Sequence, residues 1–120
     1  MRVDMRTHPK VREQVHAGLS ALRVQARQIW GTDKLGLPEI AIRLMVGVGD
    51  LARLVRDHGA PLSVSHGAVA KTVNNELKKE LGNIIFSTIR WCDDLGLDVM
   101  ECLDLAIEAQ EKFAKSGRPR

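Results

Sequence analysis

Tyrosine is absent from these 120 residues, and two Trp and two Phe hold aromatics to 3% of the chain. The strands of a β-sandwich want aromatic and β-branched side chains, so this scarcity favours helices with aliphatic cores. Cysteine is equally sparse. Cys92 and Cys102 have neither C-x-x-C spacing nor a nearby His at ligand spacing, so metal or redox use is not expected and the pair reads as two buried thiols. The four His form no H-x-x-x-H pair and read as surface or capping residues. No apolar run approaches the ~18 residues that a membrane span requires. The N-terminus also lacks the charged-then-apolar order of a signal peptide. The expectation is a cytoplasmic protein with no membrane partner.

Hydrophobic residues make up 44% of the chain and charged residues 28%, an ordinary balance for a globular domain. The formal net charge is +3, and much of the excess sits at the ends: Arg2, Arg6, Lys10 and Arg12, then Lys112, Lys115, Arg118 and Arg120. Charge spread over termini suits solvated tails better than a nucleic-acid grip, which needs a stripe along one element. One domain is expected over residues 1–115, followed by a flexible basic tail over 116–120.

Periodicity predicts four helices and no sheet. The first runs from Pro9 to Trp30, with Val11, Val15, Leu19, Leu22 and Ile29 at helical spacing. Pro38 suits the first turn of a second, whose stripe is Ile40, Leu44, Val48, Leu51 and Val55, ending near His58-Gly59. The segment from Ala60 to Gly67 reads as a loop. A third helix covers Ala68 to Leu95, with Val73, Leu77, Leu81, Ile84, Ile85 and Ile89 inward, and Gly96 closes it. Asp98 followed by Glu101 resembles a capping box and marks a fourth helix from Val99 to Lys115.

Chemistry-bearing residues collect on the second and third helices. Asp50 lies at the margin of one apolar stripe, with Gly47 a turn earlier within it, while Glu76, Glu80 and Asn83 form a polar strip along the other. Antiparallel packing of these two helices would join the margins into an oxygen-rich pocket of the kind that bundles use for hard cations. Taken singly, Asp50 and Glu80 read as solvated helix edges. Gly47 and Gly49 each cost ~1 kcal/mol relative to Ala inside a helix, so each marks either a vacated ligand position or a close helix approach.

The segments Leu44-Met45-Val46-Gly47-Val48-Gly49-Asp50-Leu51-Ala52 and Glu80-Leu81-Gly82-Asn83-Ile84-Ile85-Phe86 resemble the paired signatures of the MazG-like, all-α nucleoside triphosphate pyrophosphohydrolases. Ile29-Trp30-Gly31-Thr32-Asp33-Lys34 is similar to the end of that family's first helix. Asp94-Leu95-Gly96-Leu97-Asp98 with Glu101-Cys102-Leu103 is similar to its link into the last. The likeness spans Ala26 to Lys115. It implies a four-helix bundle completed by homo-oligomerisation, as a homodimer or homotetramer. It also implies Mg²⁺-dependent hydrolysis, with Mn²⁺ as a substitute, of a nucleoside triphosphate to monophosphate and pyrophosphate.

By the same resemblance, Asp50, Glu80 and Asn83 are metal ligands, Glu80 is the catalytic carboxylate, and Lys34, Lys112 and Trp30 contact the nucleotide. Gly47 and Asn83 stand where the family carries acids, so of four carboxylates only two remain. The expected activity is correspondingly weakened. The rival expectation is a catalytically reduced nucleotide-binding or scaffold protein that keeps the helical frame. Residue by residue, a Trp at helical spacing also suits a core or interface, and a Lys near a helix end also suits solvent.

Overall fold

The computed structural model describes residues 3–58 and 67–117. Four helices account for its regular structure: α1 (Pro9–Trp30), α2 (Leu37–His58), α3 (Gly67–Asp94) and α4 (Val99–Lys115). No strand occurs among the described residues. The loop expected from Ala60 onward and the last three residues of the basic tail, 118–120, lie outside the described residues.

Local chemistry sets the helix ends. His8 caps α1 by accepting the Val11 N–H on Nδ1, and Pro9 fills the first turn, where its missing N–H costs nothing. Gly31 stops α1 at φ 75, donating its N–H to the Arg27 carbonyl at 2.8 Å. At the end of α3, Leu97 N–H reaches the Cys92 carbonyl at 2.8 Å and Gly96 N–H reaches that of Asp93 at 3.0 Å. This double closure requires the left-handed φ of 71 that Gly96 supplies. Asp98 Oδ1 then accepts the Met100 N–H at 2.9 Å and starts α4.

α3 is the central helix: it packs on α2 most extensively, on α1 next and on α4 least. Among the described residues the core is small, comprising Ala26, Ile40, Val73, Ile89, Trp91 and Met100. Arginine clamps reinforce the seam between the chain start and α4. Arg6 joins Asp4 at 2.7 Å and Glu111 at 2.5 Å, and Arg12 binds both oxygens of Asp104 at 2.8 Å.

The apolar stripes are less covered than their periodicity predicts. Leu22, Ile29, Leu44, Val48, Val55, Leu81 and Ile85 were expected inward but are exposed, Ile85 by 64%. The physical reason is that one chain provides too few partners. α2 rests chiefly on α3, so its outer face, with Ile42, Met45 and Ala52, is left to solvent. The chain exposes 9021 Å², whereas a compact protein of this mass would expose about 6,450 Å². Its radius of gyration is 17.0 Å, against about 13.6 Å for a compact 120-residue domain.

Candidate functional site

A cavity of about 400 Å³ opens where the end of α1 meets the middle of α2 and α3. Gly47 lies beside Ile84, close enough that a Cβ built on Gly47 would be 3.4 Å from Ile84 Cγ1. Either side of that contact, Asp50 and Glu80 mark one end of the cavity, and Arg43 and Ser87 lie toward the other. Residue numbers rise along α2 as they fall along α3, so the two helices run antiparallel. That packing brings Gly47, Asp50, Glu80, Asn83 and Trp30 to the wall of one cavity.

The carboxylate end carries its own cations. Arg53 Nη2 sits 2.5 Å from Asp50 Oδ1, one turn along α2. Lys79 Nζ lies 2.8 Å from Glu76 Oε2 and 3.8 Å from Glu80 Oε1. The Glu76 hydrogen bond raises the Lys79 ammonium above the ordinary lysine range, and the charges of Glu80 and Asp50 add to the effect. Among the described residues, no three His, Cys, Asp or Glu gather in a group able to hold a metal ion. The oxygens of Asp50, Glu80 and Asn83 belong to the donor class a hard cation takes, with only two of the three carrying charge.

The opposite end is rich in donors. Arg90, 12% exposed in its side chain, holds its guanidinium carbon 5.0 Å from the centre of the Trp30 ring. Trp30 is 57% exposed, and the neighbouring Trp91 is 8% exposed. Arg90 Nε and Trp91 Nε1 are both buried without a hydrogen-bond partner.

A salt-bridge network sets this wall. Asp94, whose side chain is 0% exposed, pairs with Arg27, accepts the Leu35 N–H at 3.2 Å and lies 3.9 Å from Arg90 Nε. Arg27 also binds Asp93 at 2.6 Å. Asp94 thus pairs with Arg90, which lies under the Trp30 ring, and with Arg27, which stands one turn before Trp30 on α1.

The structure leaves Lys34 and Lys112 outside this cavity. Lys112 is a solvent-facing residue of α4 that pairs with Glu108 at 3.3 Å. Arg43, Lys79, Arg90 and Asp93 escaped sequence reasoning, and Asp94 entered it only as part of the link into the last helix. One signal was available: two acids in the last turn of a helix oppose the helix dipole and call for arginine partners elsewhere. Away from the cavity, the Cys92 thiol is pushed up to about 11, by burial first and the Cys102 thiol next, and stays protonated at neutral pH. Compared with known proteins, the chain matches no family model, no curated protein and no solved structure.

Proposed function

We propose that this chain is a divergent MazG-like nucleotide pyrophosphohydrolase that works as a homo-oligomer and binds a nucleoside triphosphate in the cavity between α2 and α3. The convergence of Gly47, Asp50, Glu80, Asn83 and Trp30 on one cavity carries this reading, because three elements distant in sequence bring to one place the positions that the family resemblance makes metal ligands and a nucleotide contact. Asp50, Glu80 and the Asn83 amide oxygen would hold Mg²⁺ together with phosphate oxygens. Bound there, the ion would neutralise phosphate charge and acidify the attacking water. Glu80, whose side chain is 14% exposed, is the carboxylate that would take up a proton from the attacking water. The exposed Trp30 face offers a flat apolar surface to the base. The large uncovered apolar surface supports association of chains.

The test is pyrophosphate release from each nucleoside triphosphate with Mg²⁺ or Mn²⁺. Release that disappears in Glu80→Ala is expected, and equal release from both proteins would sink the proposal.

One observation favours the second reading, a nucleotide-binding protein with reduced catalysis: Asp50 and Glu80 already face Arg53 and Lys79. Thermal stabilisation by nucleotide without turnover would select it.

A further inference from the structure

The two ends of the cavity differ in what they have left to give. At the carboxylate end, Asp50 and Glu80 each meet a protein cation. At the other end, Arg90 Nε and Trp91 Nε1 are N–H donors held out of water with no acceptor. Buried donors are nearly always paired, and an orphan costs free energy that an acceptor would recover. Two such orphans occur on consecutive residues lining one cavity, with Arg43 and the Ser87 hydroxyl beside them. The nearest carboxylate, Asp94, lies 3.9 Å from Arg90 Nε and is committed to Arg27 and the Leu35 amide.

We infer that the Arg43, Ser87, Arg90 and Trp91 wall is a binding site for a phosphate-type oxyanion, which it takes directly and without a divalent cation. Two guanidinium groups supply charge, and charge-assisted hydrogen bonds to phosphate are the strong ones. An indole N–H and a hydroxyl supply direction. The half-exposed Trp30 ring, which lies over Arg90, is the side of the cavity that yields when the anion enters. The inference rests on the nucleotide reading only in placing phosphate in this cavity. It departs from that reading by giving the phosphate a holder other than a metal ion.

The protein reports on this site by itself, because its two tryptophans, Trp30 and Trp91, both line the cavity. The experiment is a titration of the full chain with inorganic pyrophosphate in excess EDTA, followed by tryptophan fluorescence and calorimetry. Saturable binding is expected. Trp91→Phe, which keeps an aromatic side chain and removes the donor, should weaken it about tenfold as read by calorimetry. Arg90→Gln, with its fold checked by circular dichroism, should abolish it.

No binding in EDTA, or unchanged affinity in both variants, overturns the inference. Mg²⁺-dependent nucleotide turnover alongside metal-requiring pyrophosphate binding would overturn the inference and leave the hydrolase reading standing. Metal-free pyrophosphate binding by a protein that neither binds nor hydrolyses nucleoside triphosphates would do the reverse.

Discussion

The Arg90 guanidinium carbon lies 5.0 Å from the centre of the Trp30 ring, joining the last residue of α1 to the central helix. Cation–π contacts of this kind contribute about 0.5–2 kcal/mol, more as water is excluded. The contact also fixes one wall of the cavity. Its geometry depends on Asp94, which faces both Arg90 and the Arg27 that lies one turn before Trp30.

Asp94→Asn keeps the shape and removes the charge. Because Arg27 and Arg90 are both largely buried around that carboxylate, the variant should lose about 2–4 kcal/mol of unfolding free energy. Urea unfolding measures the loss. Its tryptophan emission should shift to the red as Trp30 leaves Arg90, a change that a remote surface variant would not show.

A lighter change should move stability the other way. Gly82 lies within α3, and a Cβ added there would meet nothing within 4 Å. Gly82→Ala should therefore stabilise by about 0.5–1 kcal/mol through helix propensity and a less entropic unfolded chain. Thermal unfolding would show a rise of a few degrees.

The Arg12 clamp makes an acid-side prediction. The Arg12 hydrogen bond holds the Asp104 carboxyl below its ordinary value. A carboxyl depressed in the folded state contributes stability above its unfolded pKa, about 3.9, and loses it as pH falls through the lower folded value. The stability difference between wild type and Asp104→Asn should be constant from about pH 8 to 5 and shrink below about pH 4. A difference that instead grew on acidification would contradict the assignment.

Association can be probed on the outer face of α2, where Met45 is 73% exposed. The surface above that of a compact monomer, about 2,600 Å² per chain and so about 5,200 Å² for a pair, reaches the upper end of what obligate dimers bury. Met45→Glu should lower the sedimentation mass toward that of one 13.3 kDa chain without altering helix content.

The proposed hydrolase reading predicts a gain when acids replace Gly47 and Asn83. A Cβ at Gly47 makes only ordinary contact with Ile84, so a glutamate can begin there without displacing α3. Gly47→Glu combined with Asn83→Asp should raise Mg²⁺-dependent pyrophosphate release on the order of tenfold, since affinity for hard cations follows ligand charge.

The helices were legible because their signals are local. Pro9, Gly31, Gly96 and Asp98 act within a turn of where they stand, and α1 and α4 end where periodicity places them. The proximity of Asp50 to Glu80 was legible only as a pairing of two helix margins. The depth of the core was not. Periodicity gives an inward face for α2 but says nothing of how many neighbours cover it, so Val48 and Val55 stayed exposed. Arg90 and Asp94 were invisible for a related reason. Their significance lies in partners on α1 and in the Leu35 amide, more than fifty residues away in sequence.

The position of Lys79 among Glu76, Glu80 and Asp50 has a consequence best put as competition. A tethered ammonium is present at its acidic neighbours at an effective concentration on the order of millimolar or more, whatever the solution holds. A divalent ion arriving alone must outcompete an occupant that never diffuses away. One that arrives on a polyphosphate would bring with it negative charge that can draw Lys79 aside, so the carboxylate end favours a cation that comes already paired.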